Sequence, residues 1–136
     1  MSRRDRWLAA LGAAVLAALV AAAATATPDP RGYGTHEQFG WGPCSFRDWT
    51  GFACPSCGMT TAWACLVRGD VARAAAANLA GAGLAVAALL GAPWLAWAAA
   101  RGAWPWRRPR WDGVVYAGTV LLGVAALDWV RRLAVG

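Results

Sequence analysis

The chain has 136 residues, of which 59% are hydrophobic and only 15% are charged, and its formal net charge is +6. A soluble domain of this length could not bury so much apolar surface in one core. The apolar residues form long runs that arginines flank, so the composition indicates a membrane protein in contact with lipid and argues against a nucleic-acid partner.

The first predicted element is a transmembrane helix within residues 1–27. Residues 7–25 carry no charge and are long enough to cross a hydrocarbon core, and three arginines precede them. A cleaved signal peptide is the alternative, because residues 24–26 match a cleavage site. The run is longer than a typical signal-peptide core, which favours a retained anchor.

Residues 28–78 form the second predicted region, and they hold all four cysteines. The first part is rich in proline and glycine and is expected to be irregular. Residues 59–67, after the cysteine pair, are apolar but too short to span a bilayer, so we predict an interfacial or re-entrant helix that carries Cys57 to Cys65. Gly69 and Asp70, which follow an arginine, predict a helix break.

Two further transmembrane helices are predicted within residues 79–136, over residues 79–100 and 113–130. The segment between them combines arginine, tryptophan and proline, as expected of an interfacial loop. The fold prediction is a single all-α integral membrane domain with about three transmembrane helices and one short interfacial helix. Seven arginines against six favour a cytoplasmic N-terminus, with the cysteines outside.

The spacing of Cys54 and Cys57 around Pro55 suggests a reactive thiol pair. Proline favours the first position of a helix, so Cys54 is expected to cap that helix and Cys57 to lie in its first turn. Free backbone N–H groups and the helix dipole would then lower the pKa of a thiol at this helix start.

The same predicted helix constrains Cys65. Cys57, Thr61 and Cys65 follow each other at intervals of four residues and would share a face. Helical positions eight residues apart are separated by about 12 Å, which is too far for a disulfide. We therefore expect Cys65 to pair with Cys44 or to remain a buried free thiol.

Several functions are compatible with these cysteines. Cys54 could attack and Cys57 resolve in thiol–disulfide exchange, with electrons passing to a quinone or a partner protein. A structural disulfide could join Cys44 to Cys54 or Cys57. All four cysteines, with Cys65, could hold structural zinc, or they could serve only in packing. The patterns indicate no hydrolase chemistry and assign no enzyme class.

Three polar residues outside the cysteines are also candidates. His36 is the only histidine and could act as a metal ligand or proton carrier, or be plain surface. Asn78 starts a span, where its amide is expected to cap the helix or to bond across the bundle. Asp128 is expected to pair with Arg131 and Arg132, three and four residues later.

The run "CSFRDWTGFACPSCGMTTAWACLVRGDVARAAAANL", residues 44–79, resembles a bacterial family of small membrane proteins called domain of unknown function 2752. That family's pattern contains Thr-Gly, Cys-Pro-x-Cys-Gly-x-Thr-Arg-Ala, Gly-Asp and Asn-Pro. The matching positions are Cys44, Thr50, Gly51, Cys54, Pro55, Cys57, Gly58, Thr60, Ala62, Gly69, Asp70 and Asn78.

The resemblance implies a membrane fold in a bacterial plasma membrane and no particular activity. Two positions depart from the pattern, because Thr61 replaces the family's arginine and Leu79 replaces its proline. If that arginine contacts an anionic group or a thiolate, this chain lacks the contact. Since glycine-rich spans pack well against other helices, an accessory subunit of a larger membrane complex is the alternative function.

Overall fold

The computed structural model describes residues 1–105 and 109–135, and over these residues it is helical with no strand. The all-helical membrane fold is confirmed, with three helices long and apolar enough to span a bilayer. The α-helices are α1 (Arg3–Thr25), α2 (Ser45–Thr50), α3 (Met59–Leu66), α4 (Val71–Ala77), α5 (Leu79–Arg101) and α6 (Trp111–Val135), and a 3₁₀ helix covers Thr35–Phe39.

The three long helices alternate in direction. Arg6, near the start of α1, donates from Nε to the carbonyl of Ala99 near the end of α5, at 2.7 Å. Asp128, near the end of α6, accepts from the backbone N–H of Leu79 at the start of α5, at 3.2 Å. The end of α1, the start of α5 and the end of α6 therefore lie together, and the cysteine-bearing segment lies at that same end.

Small residues bring α1 and α5 close together. A Cβ atom on Gly12 would lie 3.2 Å from Leu95, and one on Gly91 would lie 3.3 Å from Leu16. Close backbone approach gains van der Waals contact in a membrane, where apolar burial gives no driving force between helices. By contrast, only 6% of the most apolar 18-residue stretch of α6 is buried inside the bundle.

Arginine side chains satisfy carbonyls at the ends of two helices, Arg6 at the end of α5 and Arg68 at the end of α1. Arg68 donates to the carbonyls of Ala23 and Ala24 at the end of α1, at 3.3 and 3.0 Å. The last carbonyls of a helix have no partner within the helix and carry its negative dipole end. A guanidinium group there satisfies the hydrogen bonds and complements the dipole.

The predicted spans match α1, α5 and α6, and the two later ones end further along the chain than expected. We predicted residues 113–130 for the last span, whereas α6 continues to Val135. Asp128 pairs with Arg131 and Arg132 at 2.8 and 3.1 Å inside the helix, as predicted, so these charges do not end it. Residues 106–108 of the predicted interfacial loop lie outside the described residues.

The prediction of a short helix was correct, but its start was wrong. A helix over residues 57–65 was expected, with Cys54 as its cap, whereas α3 begins at Met59. Gly58 precedes α3 with a left-handed φ of +82°. Because this conformation interrupts a right-handed helix, Cys54 and Cys57 belong to a separate turn. Cys57 therefore does not share the α3 face.

Sequence analysis also missed three short helices. The proline- and glycine-rich segment contains the 3₁₀ helix, α2 follows it, and α4 lies between the predicted break and α5. The break itself is present, since Gly69 has a φ of +80° and Asp70 caps α4 by accepting the backbone N–H of Arg73. Each missed helix has seven residues or fewer, too short for a hydrophobic period to be recognised.

Replacing Gly58 tests how tightly the turn is packed. A Cβ there would overlap the carbonyl oxygen of Ala77 and lie 2.8 Å from that of Gly32. We expect Gly58→Ala to lower the free energy of unfolding in detergent by more than about 3 kcal/mol, because alanine would be strained in the left-handed conformation and would also clash with the backbone. Gly40→Ala is the control, since Gly40 has the same φ of +82° with nothing within 4 Å. Equal losses in both variants would contradict the close approach at Gly58.

Candidate thiol site

The turn over residues 54–58 is fixed by its own backbone. The N–H of Cys57 donates to the carbonyl of Cys54 at 3.1 Å, and the N–H of Met59 donates to the carbonyl of Ser56 at 3.1 Å. Proline suits such a turn because its fixed φ and missing N–H cost nothing there. We call residues 53–58 the cysteine loop.

Three thiols meet at this loop. Cys44, immediately before α2, brings a third sulfur to those of Cys54 and Cys57, and all three Sγ atoms lie within 4.8 Å of one another. Each of the three residues is partly exposed. We call this group the thiol cluster. None of the four cysteines is in a disulfide, so the predicted structural disulfide is not present in this structure.

Side chains from α5 and α6 hold the cysteine loop by its carbonyl oxygens. The Asn78 amide donates to the carbonyls of Pro55 and Cys57 at 3.2 and 3.1 Å. The Arg132 guanidinium donates to the same two carbonyls at 2.9 and 2.8 Å. Two carbonyls thus receive four hydrogen bonds from residues that are distant in sequence.

Asn78 satisfies both sequence expectations at once. Its Oδ1 accepts the backbone N–H of Gly81 at 2.8 Å, so it caps α5, while its amide group bonds across the bundle. The residue is 1% exposed. A buried primary amide has two N–H donors and one carbonyl acceptor to satisfy, and this position provides partners for both kinds.

Asp128 supports the Arg132 contact from behind. Its carboxylate is buried, lies 3.1 Å from the Nε of Arg132, and accepts a 2.8 Å hydrogen bond from Arg131. The backbone N–H of Leu79 is its third partner. Leu79 stands where the family pattern has a proline, and a proline would have no backbone N–H to donate to Asp128.

Trp129 gives α6 a further contact with the cysteine loop, because its indole N–H donates to the carbonyl of Ala53 at 2.7 Å.

The thiols of Cys54 and Cys57 differ in acidity. Burial alone would raise the pKa of Cys54, but hydrogen bonds from the Ser56 side chain and backbone outweigh it and lower that pKa below 9. The Ser56 oxygen lies 3.0 Å from the Cys54 sulfur. Burial raises the pKa of Cys57 to about 11, assisted by its thiol contacts to Cys44 and Cys54.

This result corrects the predicted electrostatics. We expected a helix dipole to lower the pKa of a thiol at the helix start, but Cys57 lies outside α3 and its pKa is raised. The lowered pKa of Cys54 has a local cause, since the hydrogen bonds to Ser56 favour thiolate over thiol.

Cys65 lies apart from the thiol cluster. It is 1% exposed and packs in an apolar group with Ala62, Ala74 and Ala82. Of the two fates that we predicted for Cys65, the structure shows the buried free thiol. Thr61, on the same face of α3, shares a 2.7 Å hydrogen bond with the hydroxyl of Thr35, so the family's arginine is replaced here by a buried hydroxyl pair.

A cleft of about 560 Å³ opens beside the thiol cluster. His36 and Thr60, both singled out from the sequence, line it together with the three cysteines, and Glu37 and Asp48 supply acidic groups. The remaining motif residues act in local structure. Thr50 bonds the carbonyl of Phe46 and the N–H of Phe52, and Gly51 ends α2 with a φ of +74°.

The donor set of the thiol cluster suits a metal ion. Thiolate sulfurs are ligands for zinc and for soft ions such as copper(I). Zinc–sulfur bonds of about 2.3 Å place two thiolates roughly 3.8 Å apart in a tetrahedral site. Since the sulfurs lie within 4.8 Å, closing them around an ion requires shifts of about an ångström or less. Three cysteines, rather than the predicted four, are grouped in this way.

The fold and the site together define a small multi-pass helical membrane protein with a three-thiol cluster at one end of its bundle. Residues 44–99 match a family model described as "Protein of unknown function (DUF2752)". The resemblance seen in the cysteine motif is therefore confirmed over that segment. No curated protein and no solved structure matches the chain.

Sequence analysis missed the residues that hold and tune the loop. Trp129 and Arg132 contact the loop from α6, and Ser56 lies within it beside the Cys54 sulfur, whereas the sequence predicts for Arg132 only the pairing with Asp128. The position of Ser56 between two cysteines was an available signal, because a hydroxyl there can reach a neighbouring sulfur. Nothing in the sequence joins residues 129 and 132 to a loop more than seventy residues earlier.

Two neighbouring arginines allow a matched test of the loop contacts. Arg131 and Arg132 both pair with Asp128, but of the two only Arg132 contacts the loop carbonyls. We expect Arg132→Gln to lower the free energy of unfolding by about 2–3 kcal/mol, the scale of hydrogen bonds to a charged group. Arg131→Gln should cost less than about 1 kcal/mol, because its side chain is 51% exposed.

The two measurements are the free energy of unfolding in detergent and the alkylation rate of Cys57. Arg132→Gln should speed alkylation, since the carbonyls of Pro55 and Cys57 lose the two hydrogen bonds that the guanidinium donates, and Arg131→Gln should not. If both variants lose equal stability and are alkylated equally fast, the pairing with Asp128, and not the hydrogen bonds to the loop, accounts for the effect.

Proposed function

We propose that the thiol cluster binds one zinc(II) or copper(I) ion at the membrane surface. The observation that carries this proposal is the grouping of the three sulfurs within 4.8 Å of one another. Two of them come from one turn and the third from the start of α2, so separate segments converge on one point. A single thiol pair would suffice for a disulfide, whereas a third sulfur at this distance favours a metal.

A zinc ion held by three thiolates keeps a fourth coordination position. In zinc enzymes, three protein ligands and one open position are typical of sites that exchange a ligand. The cleft beside the cluster would admit water or a small ligand to that position, and His36 lines the same cleft. The proposal therefore favours an exchangeable metal over a purely structural one.

Thiol–disulfide exchange is the second candidate, and the acidity of Cys54 favours it. A thiol with a lowered pKa attacks more readily at neutral pH, and Cys57 is close enough to resolve a mixed disulfide. Forming the disulfide releases two electrons and two protons, so an acceptor such as a quinone or a disulfide-bearing partner is required. In this case protein purified without reductant would contain a Cys54–Cys57 bond and bind no metal until reduced.

The accessory-subunit hypothesis remains a prediction. Its support is the exposed apolar surface of α6, which lipid alone or helices of another protein can cover. Recovery of the chain alone, at monomer size, after gentle detergent extraction would count against it.

We also propose that the thiol cluster lies outside the plasma membrane, with the N-terminus in the cytoplasm. The arginine distribution in the sequence supports this orientation, because seven arginines precede the first span or follow the second up to the third, and six belong to the other segments. A membrane-impermeant maleimide should label Cys54 in intact cells. Labelling only after permeabilisation would reverse the orientation.

The metal proposal predicts stoichiometric binding that depends on three cysteines. Reduced protein in neutral detergent should bind one equivalent of zinc, and cobalt should show thiolate charge-transfer absorption. Replacing Cys44, Cys54 or Cys57 by serine should weaken binding at least about 100-fold, more than the loss of an outer-shell partner. Cys65→Ala is the control and should retain full affinity, because Cys65 lies outside the cluster.

The pH dependence of binding follows from the thiol acidities. Metal binding displaces thiol protons, and the pKa of Cys57 is about 11, so affinity should rise with pH across the neutral range. Absence of stoichiometric metal, or an equal loss in the Cys65→Ala variant, would contradict the proposed site.

A further inference from the structure

A second cavity, of about 370 Å³, adjoins the thiol cleft and shares Arg31, Arg47 and Cys57 with it. Segments from the loop after α1, from α2, from α4 and from α6 contribute to its walls. No aspartate or glutamate of the described residues lines it. Its charged lining consists of four arginines, namely Arg31, Arg47, Arg73 and Arg132.

The acidic partners of these arginines lie outside the lining. The ion pairs orient three of the arginines, while the charged side chains of the described residues that line the cavity are all positive. The pairs are Asp29 and Glu37 with Arg31 at 2.7 and 3.2 Å, Asp70 with Arg73 at 3.7 Å, and Asp128 with Arg132 at 3.1 Å.

Arg47 has no acidic partner among the described residues. Its guanidinium carbon lies 3.8 Å from the centroid of the Tyr33 ring, and Arg31 lies over the same ring at 5.1 Å. An aromatic face orients a cation but does not neutralise it. Two guanidinium groups are therefore held near one ring, and one of them retains an uncompensated charge.

We propose that this cavity binds a phosphate group, as free phosphate or as the headgroup of a lipid. Arginine presents several N–H donors in a planar fork that matches the oxygens of phosphate. The cavity lies where α4 ends and the membrane span α5 begins, which is the depth of lipid headgroups. The proposal rests on the arginines and not on the thiols, although Arg31 and Arg47 also line the thiol cleft.

The experiment uses the full chain in neutral detergent at constant ionic strength. Binding of inorganic phosphate and of dihexanoyl phosphatidic acid is measured separately by calorimetry. The test variant is Arg47→Gln with Arg73→Gln, chosen because neither side chain supports the cysteine loop. The matched control is Arg4→Gln with Arg110→Gln, which removes the same charge from residues that do not line the cavity. Arg47→Gln alone serves if the double variant does not fold.

We expect saturable binding of one equivalent, weakened at least about tenfold in the test variant and less than about twofold in the control. Binding of both ligands would show that the phosphate group suffices. Binding of the lipid alone would identify the headgroup as the ligand, and binding of phosphate alone would identify the free ion. No saturable binding of either ligand, or an equal loss in the control, would overturn the proposal.

Discussion

Two carbonyl oxygens at the end of the helix bundle, those of Pro55 and Cys57, determine how the cysteine-bearing segment is held. Hydrogen bonds from a charged donor such as a guanidinium contribute more to stability than neutral ones, about 1.5–3 kcal/mol each. Asn78 and Arg132 each donate to both oxygens, so α5 and α6 are tied to the same turn. Because α6 is otherwise little buried, these polar contacts fix its end against the rest of the bundle.

The two proposed sites, the thiol cluster and the arginine-lined cavity, both depend on how this turn is held. With its carbonyls directed to α5 and α6, the turn brings the thiols of Cys54 and Cys57 next to Cys44. Arg132 reaches the turn because buried Asp128 balances its charge, and it also lines the arginine cavity. Cys57 lines both the thiol cleft and that cavity. The two proposed ligands would thus bind in adjoining cavities that share Cys57, Arg31 and Arg47.

The sequence predicted what depends on long runs and short spacings. Hydropathy located the three spans, the Asn78 amide was expected to cap or to bond across the bundle, and the Asp128 pairs followed from helical spacing. Other features depend on long-range contacts that no local pattern encodes. Gly58 was expected inside a helix that carries Cys57, whereas its left-handed φ of +82° separates the cysteine turn from α3. The four cavity arginines come from four segments and share no spacing that a sequence pattern would reveal.

The central claim is that three cysteines, and not two or four, form one site. X-ray absorption at the zinc edge of the metal-loaded protein counts the bound sulfurs directly. We expect three sulfur ligands at about 2.3 Å and one lighter ligand, nitrogen or oxygen, at about 2.0–2.1 Å. Four sulfur ligands would place Cys65 in the site and contradict its burial among alanines in this fold. Two sulfurs or none would remove the third thiol from the site and favour exchange between Cys54 and Cys57 alone.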